Sequence, residues 1–322
     1  RSQTVTGVQT CALPIYGGEA VLGSESGSYL YYGFARYHRK PQEEFYGVGP
    51  ASRREAESGF RLDETLVGGL FGRSLADNLL LGTHVSYRAH RFGQGTEAEV
   101  PPATDRFPGV AGVGTNANYV VVGSFLEYDA RNIPHAREYG QRFAPTNDRL
   151  RRLSLDATSG LYLSTQVAHH VDIGRNQFSF TRFSLDVQEY VSIDEGTQHG
   201  LAFRQFVSLT HTAQDQAVPF YRLQSIGGSE SLRGYRPGRF RDYNVLLLNA
   251  EVRCQVWHWL DMAVFGDAGH VFRRFEDLGP ATVRADVGVG FRLRTSKGTA
   301  ARLEFARGTE GLRVQLKLGS LL

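Results

Sequence analysis

From Val283 to Arg294 the side chains alternate without a break. Val283, Ala285, Val287, Val289, Phe291 and Leu293 are apolar; Arg284, Asp286, Gly288, Gly290, Arg292 and Arg294 are charged or glycine. A period of two is the pattern of an extended strand with one greasy and one wet face. The next two segments repeat it: Ala301, Leu303 and Phe305 against Arg302, Glu304 and Ala306, then Leu312, Val314, Leu316 and Leu318 against Arg313, Gln315 and Lys317. Gly308-Thr309-Glu310-Gly311 between them reads as a tight turn. Upstream, Asn249, Glu251, Arg253 and Gln255 alternate with Ala250, Val252, Cys254 and Val256, and Arg182, Ser184, Asp186 and Gln188 with Phe183, Leu185 and Val187. Weaker candidates cover 28–38, 58–73, 78–92, 118–129, 159–170 and 199–212, and 259–272 alternates imperfectly. About twelve strands of ~10 or more residues result, joined alternately by short turns and longer polar loops.

A soluble β-sandwich also alternates, but its strands average about five to six residues and its one interior must be filled with apolar side chains. Here the strands are long and the wet face repeatedly carries Arg, Asp, Glu and Gln. That suits an aqueous lumen, which turns the apolar face outward to lipid. The expected fold is therefore all-β: a transmembrane antiparallel β-barrel. The low mean hydropathy of -0.31 is compatible with this, since lipid-facing and lumen-facing residues average out. No apolar run reaches the ~18 residues of a spanning helix. Glycine is abundant at 37, with 20 Phe and 15 Tyr, which suits turns, barrel bends and interfacial belts. A net charge of +3, from scattered basic residues, gives no footprint for nucleic acid.

Two cysteines, Cys11 and Cys254, cannot build a disulfide framework, and the only methionine is Met262. Arg1 to Ile15, RSQTVTGVQTCALPI, resemble translated sequencing-adaptor read-through; a short native arm is the alternative. Residues 1–16 are set aside as a non-native or disordered leader, and 17–322 are read as the barrel domain.

The most distinctive stretch joins two strands. It holds Val218-Pro219-Phe220-Tyr221, then Gly227-Gly228-Ser229-Glu230-Ser231-Leu232-Arg233-Gly234-Tyr235, then Arg239-Phe240-Arg241-Asp242. With Asn249-Ala250-Glu251-Val252-Arg253, Phe265-Gly266-Asp267-Ala268-Gly269 and Gly288-Val289-Gly290-Phe291-Arg292, it resembles the BamA/TamA-type outer-membrane assembly proteins, the bacterial surface antigen family. Phe45-Tyr46-Gly47-Val48-Gly49-Pro50 and Phe125 to Asn132 resemble it further upstream, so the likeness covers most of 28–322. The resemblance implies a barrel of about sixteen strands, with this loop between the eleventh and twelfth. Five strands follow the loop in the sequence and about seven precede it, so the resemblance also implies missing first strands and missing periplasmic domains.

In such proteins the loop folds back into the lumen and its arginine pairs with acids on the inner wall. Carried over by motif, Arg233 is that arginine, Glu251 and Asp267 are its partners, Gly234 allows close approach and Tyr235 completes the tripeptide. Strand parity puts Glu251 on the wet face; Asp267 shares a face with apolar Phe265, which leaves its direction open. The lone-loop alternative is that Arg233 is merely solvated. The last strand, Leu312, Val314, Leu316, Leu318 and Leu322, keeps its apolar parity to the end but closes on leucine where many outer-membrane barrels close on an aromatic residue.

No covalent chemistry is legible. Gly227-Gly228-Ser229-Glu230-Ser231 lacks the last glycine of a nucleophile elbow and its strand–turn–helix setting. His169 and His170 are neighbours on a strand and face opposite ways, so they cannot share a metal. Asp194 and Glu195 read as solvated turn acids. The expected protein is not an enzyme, takes no cofactor, lies in the bacterial outer membrane, and has lipid, unfolded outer-membrane or secreted polypeptides, and periplasmic or accessory assembly subunits as partners. Three readings stay open: insertion or translocation of proteins through a lateral seam, a secretion or anchoring barrel fused to an upstream domain such as a patatin-like lipase, and a passive porin.

Overall fold

The computed structural model describes residues 16–26, 28–132, 157–194, 199–295 and 298–318. Among the described residues, thirteen strands form one antiparallel sheet in chain order. Eight precede the long loop: β1 (Tyr16–Ser26), β2 (Tyr29–Phe45), β3 (Ser58–Ala76), β4 (Leu79–Gln94), β5 (Ala117–Asp129), β6 (Gly160–Asp172), β7 (Phe180–Ser192) and β8 (Gly200–His211). Inside the loop, β9 (Gln224–Ile226) and β10 (Phe240–Asp242) pair only with each other. Five follow: β11 (Asn244–Trp257), β12 (Leu260–Phe272), β13 (Arg284–Thr295), β14 (Gly298–Gly308) and β15 (Gly311–Leu318). β8 pairs directly with β11, so the loop leaves and rejoins the wall at adjacent strands.

The sequence pattern anticipates five strands after the loop and finds twelve in all; β1 is the thirteenth. Its segment hides because Gly17-Gly18 and the apolar run Ala20-Val21-Leu22 break the alternation. It also begins at Tyr16, one residue inside the stretch set aside as leader.

Burial is inverted relative to a soluble protein, where large apolar residues lie inside and charges outside. On β13 Val287 is 65% exposed, while Arg292 on the other face is 1% exposed. On β15 Leu312, Val314, Leu316 and Leu318 all face outward. Buried instead are Arg88, Arg182, Arg204, Arg253, Arg302, Asp186, Glu251 and Glu304. Buried charges demand partners, and a continuous apolar exterior demands hydrocarbon around it. A 12-residue strand tilted by ~40° rises about 30 Å, the thickness of that hydrocarbon. Trp257 and Trp259 stack on each other beside one rim, and Tyr29, Tyr31 and Phe71 cluster at the same end, as an interfacial belt requires.

At that rim only two residues separate β1 from β2, β3 from β4, β11 from β12 and β13 from β14, while residues 130–159 separate β5 from β6. The other rim carries the loops 46–57, 95–116 and 212–243. Short turns mark the periplasmic side of such barrels and long loops the outer side. The sheet curls until its ends approach: Arg54 Nη1 donates to the Glu310 carbonyl at 3.2 Å, across 256 residues of sequence. Among the described residues, strand pairing joins neither β1 nor β15 to a second neighbour.

Candidate functional site

Two dry clusters seat the loop in the lumen. At the outer rim Val218, Phe220 and Tyr221 of the loop pack on Phe45, Phe60, Tyr119 and Phe180 of the wall, together with Ala103 of the 95–116 loop. Deeper, Ile226, Leu232, Tyr235 and Phe240 pack on Phe206, Val245, Leu247 and Val271. Between β9 and β10 the chain reverses through Gly227 and Gly228, whose φ values of 116° and 90° lie where side chains are strained. This reversal aims Leu232-Arg233-Gly234-Tyr235 at the inner wall.

The Arg233 guanidinium is buried there. Nε and Nη2 donate to Oδ2 and Oδ1 of Asp267 at 2.8 and 2.7 Å, the parallel two-bond fork that arginine and carboxylate geometry favours. Nη1 donates to Glu251 Oε1 at 2.5 Å and to Glu304 Oε1 at 3.3 Å. The backbone N–H of Arg233 also reaches Asp267 Oδ2, at 3.2 Å. Asp267 is braced by Asn249 Nδ2 at 2.7 Å, and the same amide donates to the Ser231 carbonyl at 2.8 Å. Glu251 is shared with Arg253 (3.0 Å) and Arg292 (2.6 Å). Arg302 lies 3.4 Å from Glu304. Arg233, Arg253, Arg292 and Arg302 thus meet Glu251, Asp267 and Glu304 in one buried cluster on β11 to β14 and the loop, with Asp286 buried beside Asp267.

The sequence pattern leaves the direction of Asp267 open because Phe265 shares its face. Both side chains point inward and are buried. Phe265 is the floor of the site: the guanidinium carbon of Arg233 sits 3.4 Å from its ring centroid, a cation–π contact. Room for this comes from β13. A Cβ on Gly288 would stand 2.4 Å from Phe265 Cζ, and one on Gly290 would stand 3.3 Å from Glu304 Cγ. The glycines on the wet face of β13 are therefore space left for neighbours' side chains.

Gly234 touches the wall itself. A Cβ there would lie 2.7 Å from Asp286 Cβ and 2.8 Å from the Gly308 nitrogen. Tyr235 lies over Gly308, where a Cβ would meet its ring at 2.8 Å. Its hydroxyl donates to the Ala285 carbonyl at 3.2 Å and accepts from the Thr309 N–H at 3.3 Å. The last strand touches the loop too: Gln315 Nε2 donates to the Arg233 carbonyl at 2.6 Å, and Lys317 pairs with Glu230. Leu312, Val314, Leu316 and Leu318 lie on the opposite face of β15, and Leu322 is outside the described residues.

Residues 146–319, which contain the loop and every one of these wall acids, match the Omp85 superfamily domain. The chain belongs to the Omp85 superfamily. It is accordingly a β-barrel of the bacterial outer membrane. Similar solved structures include BamA from Haemophilus ducreyi lacking POTRA domains 1-3, at TM-score 0.62 and 12% identity, with 94% of this chain and 61% of that one covered. CdiB from Acinetobacter baumannii matches at TM-score 0.53 and 10% identity, covering 94% and 50%. The chain thus spans about half to three-fifths of the length of these superfamily structures. No curated protein matches it in sequence.

Glu304, Arg253, Arg292, Asn249, Gln315 and Gly308 were not legible as members of the site. Parity puts Glu304, Arg253 and Arg292 on the wet face, but only the register across strands shows which of them meet. The two histidines do part as expected: His170 is buried and His169 exposed. Asp194 is exposed beside His199, and Glu195 lies outside the described residues.

Proposed function

We propose that this barrel inserts or translocates polypeptides at the outer membrane, and that the Arg233 loop works as a lock on the strand at the end of the sheet. One observation carries the reading. The end strand β15 is hydrogen-bonded from inside by the loop itself, Gln315 to the Arg233 carbonyl at 2.6 Å. Loop position and end-strand position are thereby linked. A strand edge offered to an incoming extended polypeptide gives main-chain hydrogen bonds of the β-augmentation kind, and no covalent step is needed. An unpaired edge in hydrocarbon costs several kcal/mol per unsatisfied group, so exchange of one strand partner for another is the economical route.

In this reading Arg233, Glu251 and Asp267 are the lock, Gly234 and Tyr235 fit it to β13 and the β14–β15 turn, and the outward leucines of β15 keep that strand in lipid. The partners are unfolded outer-membrane or secreted polypeptides and accessory assembly subunits. The aromatic cluster around Phe220 fills the outer mouth, which argues against an open diffusion pore. The test is reconstitution of the chain in liposomes with an unfolded outer-membrane polypeptide. The barrel is expected to accelerate its insertion and to pass only small, irregular currents. Insertion no faster than into empty liposomes, or a steady large conductance, refutes the proposal.

A further inference from the structure

The loop makes a second set of contacts that the Arg233 cluster does not require. Arg239 is almost completely buried at the outer rim. Its Nε donates to Glu310 Oε1 and Oε2 at 2.8 and 3.1 Å, and Nη2 lies 2.7 Å from Glu310 Oε1. Nη1 donates to Ser52 Oγ at 2.9 Å, and Nη2 to the Ser52 carbonyl at 2.8 Å. The guanidinium lies over the rings of Tyr46 and Phe240, at 4.7 and 4.5 Å. Glu310 belongs to the β14–β15 turn and Ser52 to the β2–β3 loop. One side chain therefore touches the last hairpin, the lumen loop and the opposite region of the sheet.

We infer that Arg239 is a rim clasp that holds the last hairpin to the β2–β3 loop, separately from the Arg233 lock in the wall. Guanidinium chemistry suits the task, since its five N–H donors in a fixed fork can serve two acceptor groups at once. Neighbouring contacts run the same way. Arg236 Nη1 donates to Glu57 at 2.9 Å and to Glu44 at 3.4 Å, the Gly49 N–H donates to the Arg241 carbonyl at 2.7 Å, and Arg284 Nη2 donates to the Pro50 carbonyl at 2.7 Å. The end of β2 with the β2–β3 connection, from Glu44 to Glu57, is thus the receiving surface. The use of the clasp rests on the proposed function: any outward swing of the last hairpin that frees the β15 edge must first break the Arg239 bonds. The clasp itself rests only on these contacts.

The experiment places spin labels on the exposed rim positions Arg53→Cys and Arg307→Cys, with Cys11 and Cys254 replaced by serine, and measures their distance distribution in nanodiscs. In the otherwise unchanged chain a narrow distribution is expected. In Arg239→Gln the long-distance fraction should rise by about tenfold or more, as loss of charge-assisted hydrogen bonds implies. Arg239→Lys, which keeps the charge and loses the fork, should fall between. Glu310→Gln leaves the Ser52 bonds and both ring contacts in place and provides a folded variant if Arg239→Gln does not assemble. Lower thermal stability with an unchanged distance distribution in Arg239→Gln and Glu310→Gln overturns the clasp. Polypeptide insertion is measured alongside: rim opening without any insertion by the parent chain sinks the transport reading and leaves the clasp standing, and the converse result does the opposite.

Discussion

Replacing Arg233 by alanine is the sharpest test of the lock, because the structure says where the loss falls. Glu251 keeps Arg253 at 3.0 Å and Arg292 at 2.6 Å, so its charge stays compensated. Asp267 loses both arms of the fork and retains one side-chain donor, Asn249 at 2.7 Å. Removing one partner of a buried ion pair costs about 3–5 kcal/mol. The apolar contacts of Leu232, Tyr235 and Phe240 remain, so the barrel should persist and the cost should appear in the seating of the loop. At ~1.4 kcal/mol per decade, the low end of that range is about a hundredfold in the seating equilibrium. Limited proteolysis of the folded chain in detergent micelles reads this directly, through cleavage within residues 224–242 against cleavage elsewhere. Arg233→Lys should lie near the alanine variant, since a point charge cannot replace the fork or the stack on Phe265. Loop cleavage within about twofold of the parent chain, with the substitution verified, refutes the lock, for that is well under 1 kcal/mol.

Two further outcomes follow from the same geometry. Gly234→Ala should unseat the loop while every charge stays in place, because its Cβ would press on Asp286 Cβ and the Gly308 nitrogen at 2.7 and 2.8 Å; loop proteolysis equal to the parent's counts against the close approach. His199, just before β8, donates from Nε2 to the Gln255 carbonyl of β11 and from Nδ1 to the Asp194 carboxylate, and these acceptors favour the protonated ring and raise its pKa above the ordinary ~6.5. The contacts among Asp194, His199 and Gln255 thus give support that is complete below that ordinary value and fades as pH rises through the raised one. An NMR titration should show the raised value and a partial fall in Asp194→Asn, whereas a free-imidazole titration curve in the parent chain contradicts the assignment.

How much of this was legible beforehand depended on whether neighbours in sequence carried the information. β13, β14 and β15 declare themselves, since each alternates a charged, polar or small residue with an apolar one. Arg233 and its two wall acids came from motif resemblance, and Glu251 from parity as well. β1 stayed hidden behind its glycine pair and an unbroken apolar run. Phe265 misled because an aromatic residue in a barrel strand reads as lipid-facing, yet here it is the surface on which a guanidinium lies. Arg239 and Glu310 could not be paired at all: one reads as a loop cation and the other as a turn acid, 71 residues apart, and only the curl of the sheet joins them.

The burial of Arg233 with Glu251, Asp267 and Glu304 has a consequence for handling as well as for mechanism. Charges removed from solvent are poorly screened by dissolved ions, whereas attractions across open water fade beyond about 10 Å at 0.1 M salt. A concentrated salt wash should therefore detach whatever docks on this barrel through surface charge and leave its internal plug in place. Ionic strength is then a way to tell recruitment from opening.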